Sequence, residues 1–222
     1  MHQTQHTIGD FNQVYNDITS IFSNTSISGI HIFPELFLTG YPLQDLCLQK
    51  EFITKYQLLI DKLNHFFLNL NKDSCNFNVL LGGLDYQFEK NGLPKEIRNI
   101  VFQAAPGKKL MPVYTKNLLP NYDIYDEKKY FTPGTSPTVI SFNDLNIGIM
   151  ICEDMWPSSM HLNNPIKDLK CFIQSKKIKL DLLVNLSASP FHIGKSEKRI
   201  QRGIEILNYL ETPFVYVNKV GS

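Results

Sequence analysis

The segment that decides the fold runs Thr138-Val-Ile-Ser-Phe-Asn-Asp-Leu-Asn-Ile-Gly-Ile-Met-Ile-Cys152. Two apolar runs, 138–142 and 145–152, flank the polar pair Asn143-Asp144. Such a pair between two strand-like runs predicts a β-hairpin. The rest of the chain alternates strands and helices, so an antiparallel hairpin favours mixed sheets over a plain doubly wound parallel sheet.

Short apolar strands and longer amphipathic helices alternate on both sides of this hairpin. Helical spacing of apolar residues predicts helices at 11–22, capped by Asp10, at 46–70 as one helix or two, at 160–177 and at 197–210. The remaining apolar runs predict strands at 30–33, 78–86, 97–105, 109–116, 180–186 and 213–218. Together these elements indicate a layered α/β architecture, a sandwich built on mixed sheets.

The composition is that of one folded domain. With 222 residues, 43% of them hydrophobic, the chain buries about 70% of its surface without help from disulfides or metals. The net charge is only +1, from 22 Lys and Arg against 21 Asp and Glu, which argues against a dedicated nucleic-acid binder. No apolar run approaches ~20 residues, so we expect no membrane span. The first residues also lack the basic and apolar regions of a signal peptide.

The four cysteines are Cys47, Cys75, Cys152 and Cys171. None forms a C-x-x-C pair, so a metal site has little support. In a chain of this size they are typical of reduced thiols in the cytoplasm.

Three predicted strands each end in a reactive side chain. Glu35 follows the run 30–34, Lys116 follows 110–115, and Cys152 follows 147–151. Rigid strands that deliver side chains to a common rim are a usual way to build a site. Each residue alone has a simpler interpretation, as a turn acid, a solvated lysine or a packed cysteine.

Four blocks of sequence surround these residues in order. They are 33–36 with 39–42, then 116–122 with 126–131, then 148–156, and finally 185–191 with 194–199. These blocks resemble the signatures of the nitrilase, or carbon–nitrogen hydrolase, superfamily. Within it they are most similar to the glutaminase domain of glutamine-dependent NAD synthetase. The resemblance implies an α-β-β-α sandwich of two mixed sheets.

The resemblance also implies a catalytic triad of Glu35, Lys116 and Cys152. Cys152 would attack the side-chain amide of glutamine, Glu35 would move the proton, and Lys116 would stabilise the oxyanion with its positive charge. Ammonia would leave first, and water would then release glutamate from a thioester. The substrate-binding residues that the resemblance implies are Tyr122, Glu127, Glu153, Ser189 and Lys195, and Glu127 would also support Lys116. Packing, turn or surface roles are the alternatives for them.

The resemblance also implies which other domains, cofactors, partners and cellular location we expect for this chain. Little precedes Gln3 and the chain stops at Ser222, so we expect 1–222 to be a hydrolase domain truncated at both ends, without the synthetase domain. ATP and Mg²⁺ would belong to that other domain, so no cofactor is expected in this chain. The expected partners are L-glutamine, an NAD synthetase domain in cis or in trans, and further copies in a homo-oligomer. We expect a cytoplasmic location and neither nucleic acid nor a membrane as partner.

Two other functions stay open at this point. The chain could be a stand-alone amidase or nitrilase that acts on another small amide, which a substrate panel would show. It could also be a non-catalytic remnant that only binds or oligomerises, and glutamine would then stabilise the protein without being consumed.

Overall fold

The computed structural model describes residues 1–23, 27–71, 76–122, 125–158, 163–190 and 193–220. This part of the chain holds two four-stranded sheets packed face to face, with two long helices on each outer side. The predicted α-β-β-α sandwich of two mixed sheets is therefore confirmed. None of the described helices is long and apolar enough to cross a membrane.

Four helices, ten strands and three short 3₁₀ turns make up the regular structure of the described residues. The helices are α1 (Phe11–Phe22), α2 (Lys50–Asn69), α3 (Pro165–Lys176) and α4 (Lys195–Leu210). The strands are β1 (Ser28–Ile32), β2 (Asn76–Phe88), β3 (Pro94–Ala104), β4 (Met111–Thr115), β5 (Asn121–Tyr122), β6 (Tyr125–Asp126), β7 (Val139–Phe142), β8 (Leu145–Ile151), β9 (Leu182–Ser187) and β10 (Phe214–Asn218). Short 3₁₀ turns occupy Gln44–Leu48, Glu127–Lys129 and Cys152–Met155.

Both large sheets are mixed. The first has the order β1-β2-β3-β4, in which β1 and β2 are parallel and the other pairs are antiparallel. The second has the order β10-β9-β8-β7, with β7 and β8 as its antiparallel pair. That pair is the predicted hairpin, and Asn143 and Asp144 adopt positive φ angles of 44° and 64°. Two left-handed residues form the tight turn that matches the twist of the strands.

Three apolar layers hold the sandwich together. Side chains such as Leu80 and Val184 fill the space between the two sheets. Phe22 of α1 and Phe67 of α2 pack on the outer face of the first sheet. Leu169 of α3 and its neighbours on α4 cover the second sheet. The helices thus bury the outer faces, and the two sheets meet through their inner faces alone.

Three of the four predicted helices have other boundaries in the structure, and one of them is α4, which begins at Lys195 instead of at residue 197. The long helix predicted over 46–70 is divided into the 3₁₀ turn Gln44–Leu48 and α2, which is the second of the two alternatives. The helix predicted from residue 160 starts at Pro165, because the Asn164 side chain accepts from the Lys167 N–H and caps it there. Residues 160–162 of that prediction lie outside the described residues.

Gly82 of β2 allows a close approach of the loop that follows β1. A Cβ at this position would lie 2.3 Å from the Pro34 carbonyl oxygen and 2.5 Å from the Leu36 nitrogen. Both are backbone atoms, which cannot turn aside as the end of a flexible side chain can. Gly82→Ala is therefore expected to displace the loop that carries Glu35 and to lower the free energy of unfolding by about 1–3 kcal/mol, measured in urea.

The matched control is Gly203→Ala on α4. Its new Cβ would meet two Phe214 ring carbons, at 3.2 Å and 3.4 Å, and alanine is the better helix former. We expect that variant to be as stable as the parent protein, or slightly more stable. A Gly82→Ala protein with parental stability would show that the loop does not depend on this close approach.

Candidate active site

The structure brings Glu35 and Lys116 into direct contact. Lys116 follows the last residue of β4, Glu35 lies in the loop after β1, and Lys116 Nζ is 2.7 Å from Glu35 Oε1. Each residue is only 1% exposed. Cys152 follows the last residue of β8, in the other sheet. The predicted strand ends therefore meet between the two sheets.

A backbone group of Ala188 connects the carboxylate with the thiol. The Ala188 N–H donates to Glu35 Oε2 at 2.9 Å. The backbone of Ala188 also hydrogen-bonds the Cys152 thiol. Ala188 therefore contacts both the thiol and the carboxyl oxygen that Lys116 does not bind.

Lys116 sits between two carboxylates. Its Nζ lies 2.9 Å and 2.8 Å from the two carboxyl oxygens of Glu127, in addition to its contact with Glu35. Burial lowers the pKa of Lys116, but the charges of Glu127 and Glu35 more than offset this and hold that pKa well above its usual value. Lys116 is therefore a fixed positive charge at neutral pH.

Two further residues hold these carboxylates, and the sequence analysis gave neither of them a role. Asn99 Nδ2 of β3 donates to Glu35 Oε1 at 2.8 Å, and the Tyr41 hydroxyl donates to Glu127 Oε1 at 2.9 Å. Asn99 is fully buried inside an apolar strand, and that unusual position is the one signal that could have found it.

Cys152 has a strained backbone that a neighbouring strand holds in place. Its φ angle is +43°, in the left-handed region that residues other than glycine rarely adopt. Its N–H donates to Asn185 Oδ1 of β9 at 2.6 Å, and Asn185 Nδ2 returns a bond to the Cys152 carbonyl at 3.4 Å. Such a conformation persists where its surroundings over-determine it, and it clusters at functional sites.

The thiol of Cys152 is not ionised on its own. Burial raises its pKa, and the nearby charge of Glu35 raises it further, while Lys116 opposes the shift. The residue is therefore a thiol at neutral pH in the unliganded protein. A nucleophilic role then needs a base that takes the proton as the sulfur attacks.

A cavity of about 570 Å³ opens above Cys152. Four of the five predicted substrate-binding residues line it, and these are Tyr122, Glu153, Ser189 and Lys195. Glu127, the fifth, does not line the cavity, since it lies buried against Lys116. This place agrees with the support of Lys116 that the resemblance implies for Glu127, while its contact with substrate stays a prediction.

The cavity wall carries more positive than negative side chains. Lys128, Lys195 and Lys198 lie around it, and Glu153 is the one acid among its lining residues in the described part of the chain. The Tyr122 hydroxyl donates to Glu153 Oε2 at 3.0 Å. Arg199 Nη2 donates to Ser189 Oγ at 3.0 Å, which holds a second side chain of the cavity lining. No cluster of three or more His, Cys, Asp and Glu able to hold a metal occurs among the described residues.

The fold and this arrangement of Glu35, Lys116 and Cys152 define a hydrolase of the α-β-β-α sandwich class. The family profile of the carbon–nitrogen hydrolases matches residues 11–165, a span that contains Glu35, Lys116 and Cys152, and the chain belongs to this family.

More particular relatives are glutamine-dependent NAD(+) synthetases. The chain is 33% identical over 168 residues to that of Thermotoga maritima, covering 76% of this chain and 25% of the relative. It is 32% identical over 194 residues to that of Acinetobacter baylyi, covering 86% and 31%. The solved glutamine-dependent NAD+ synthetase of Acinetobacter baumannii in complex with ADP superposes with a TM-score of 0.77 at 27% identity, covering 99% of this chain and 38% of that one. The chain thus spans between a quarter and a third of these two curated relatives.

Proposed function

We propose that the chain hydrolyses the side-chain amide of L-glutamine to glutamate and ammonia through a thioester on Cys152. The observation that carries this proposal is the buried Glu35–Lys116 pair beside a cysteine that opens onto the cavity. A thiol that is not ionised by itself, a carboxylate next to it and a fixed positive charge are the parts that amide cleavage by a cysteine needs.

Glu35 is the proposed base. Ala188 contacts both its Oε2 and the Cys152 thiol, and in this scheme Glu35 takes the thiol proton as the sulfur forms a bond to the amide carbon. The carbon–nitrogen bond then breaks, and the proton leaves with the departing ammonia. A water molecule attacks the thioester next, Glu35 takes one of its protons, and the thiol is restored as glutamate leaves.

Lys116 supplies charge in this scheme. Its ammonium has three N–H groups, and it already lies within 2.9 Å of three carboxyl oxygens. The Cys152 N–H is also occupied, by Asn185. Lys116 therefore stabilises the tetrahedral oxyanion through its field in a low-dielectric site. Removing one such stabiliser typically costs about 3–4 kcal/mol of the barrier.

The cavity wall suits the α-amino and α-carboxylate groups of an amino acid. Lys195 offers a cation to the carboxylate, and Glu153 offers an anion to the ammonium, on side chains that line the same space as Cys152. Charge-assisted hydrogen bonds of this kind fix orientation as well as affinity. These two side chains favour the side-chain amide of a free amino acid over an amide that has no charged α-amino and α-carboxylate groups.

The fate of the ammonia follows from the relatives. Their names describe NAD synthetases that depend on glutamine. We infer that the ammonia released at Cys152 serves NAD synthesis from deamido-NAD on a synthetase domain, which acts in cis or in trans to this chain.

The test is ammonia release from L-glutamine by the purified chain, followed with a coupled glutamate dehydrogenase assay. L-Asparagine, which is one methylene shorter, is the matched substrate and should react at least about 10-fold more slowly, since one methylene is worth 10–200-fold in a fitted pocket. Release from other small amides without release from glutamine would favour a stand-alone amidase. A folded protein that cleaves no amide would refute the hydrolytic function.

A further inference from the structure

Asp154 connects the ends of β4 and β8 by hydrogen bonds, and Lys116 and Cys152 directly follow these two strands. Its Oδ1 accepts from the backbone N–H groups of Asn117 at 3.0 Å and of Leu118 at 2.7 Å. Its Oδ2 accepts from the Ile151 N–H at 3.0 Å and from the Tyr114 hydroxyl at 2.8 Å. The first pair of donors follows β4 in one sheet, and Ile151 ends β8 in the other.

Burying a carboxylate costs free energy, and the four hydrogen bonds that Asp154 accepts offset this cost. Asp154 has no exposed surface. Burial raises its pKa to about 6, while the N–H donors, the Tyr114 hydroxyl and the charge of Lys116 oppose that shift. A buried acid that keeps donors on both oxygens is a structural connector, since losing either set leaves buried N–H groups unpaired.

We propose that Asp154 is a positioning residue that sets the thiol of Cys152 against the charge of Lys116 by holding both strand ends on one carboxylate. Each bonded N–H lies one or two residues from a reactive side chain, so the carboxylate controls where that side chain points. This inference rests on the proposed function for its kinetic readout, and it deepens that function by adding a residue that touches no substrate.

The chemistry makes a sharp prediction for Asp154→Asn. An amide has the same shape, but it accepts hydrogen bonds on one side only. If its oxygen faces Asn117 and Leu118, the NH₂ group faces the Ile151 N–H, which is also a donor. If the amide is turned round, the bonds to both 117 and 118 are lost. In either orientation one strand end is released.

The first measurement is steady-state ammonia release by Asp154→Asn. We expect kcat to fall about 100-fold with KM within about threefold, because misplacing a reacting group by 1 Å costs of that order while the cavity stays intact. The matched control is Asp181→Asn. Asp181 Oδ2 accepts from the Asn146 N–H at 3.0 Å, near the opposite end of the same strand. An asparagine oxygen can still accept this bond, so the substitution should leave kcat unchanged.

A second variant separates positioning from packing. Asp154→Glu is larger but keeps two acceptor oxygens, so we expect it to retain more activity than Asp154→Asn. A packing role predicts the reverse order, because the asparagine variant keeps the volume of the parent residue. An Asn variant at least as active as the Glu variant, or two variants that both fail to fold, would overturn the proposal.

A third readout does not depend on glutamine. Amide hydrogen exchange of Asp154→Asn should speed up at one strand end, at Ile151 or at Asn117 and Leu118, with the other end still protected. Unchanged protection at both ends overturns the positioning role even if the wild-type protein proves inactive on glutamine. If the wild-type protein is inactive on glutamine and Asp154→Asn shows the one-sided loss of protection, the proposed function is refuted and the connecting role of Asp154 stands.

Discussion

Cys152→Ala is expected to reduce ammonia release from L-glutamine by at least about 10⁴-fold, to the background of the buffer. Without the sulfur no thioester forms, and the remaining groups can only bind substrate and stabilise charge. Cys152 lines the cavity, whereas the other described cysteines, Cys47 and Cys171, do not, so neither of them can replace it. The measurement is the coupled ammonia assay, with the intact mass recorded during turnover to detect the acyl adduct on the parent protein.

Cys171→Ala is the matched control for this substitution. Cys171 is an exposed free thiol on α3, in contrast to the half-buried Cys152. Its loss should leave both the rate and the free energy of unfolding unchanged. Substantial activity in Cys152→Ala, or an equal loss in Cys171→Ala, would contradict a thioester at Cys152.

Local signals were enough to predict most of the fold. The polar pair Asn143-Asp144 marks a hairpin that the structure places there, and Asp10 caps α1 by accepting from the Gln13 N–H at 3.0 Å. The two-residue strands β5 and β6 were not predicted. They have no apolar alternation, and they exist because the loop after Lys116 folds back on itself beside the cavity.

The residues of the candidate site also fall into a group that the sequence predicts and a group that it does not. Reactive residues at strand ends stand out in sequence, because each follows an apolar run. The residues that hold them do not, since Asn99 is 64 positions from Glu35 and Asp154 is 37 from Asn117. The strand order of the first sheet pairs Asn99 with Glu35, and the packing of the two sheets pairs Asp154 with Asn117. No spacing rule along one chain predicts either pairing.

Lys116→Met is the second substitution with a large expected effect, and it acts on stability as well as rate. Methionine keeps most of the apolar stem but leaves Glu35 and Glu127 buried without their cation. We expect ammonia release to fall at least about 100-fold. The free energy of unfolding at pH 7 should fall by about 3–5 kcal/mol, measured in urea, since an uncompensated buried charge is left behind.

The pH dependence of that loss follows from Glu127. Burial raises the pKa of this carboxyl, and Lys116 opposes the shift, so removing Lys116 raises the pKa further. A carboxyl with a raised pKa in the folded state favours folding when it is protonated. The stability deficit of Lys116→Met should therefore be largest at pH 7 and above, and it should shrink as the pH falls. A deficit that is independent of pH would show that lost packing, and not the lost charge, causes it.

Two further variants separate the lysine's contribution to stability from its contribution to catalysis. Lys55→Met removes an equally short ion pair with Glu51, at 2.7 Å, but both side chains are exposed, so stability should hardly change. Lys116→Met combined with Glu127→Gln removes one of the two stranded charges and should recover part of the lost stability. It should recover no activity, because the oxyanion still lacks its positive charge. Recovery of both together would mean that Lys116 serves the fold alone, and that the barrier is lowered by other groups.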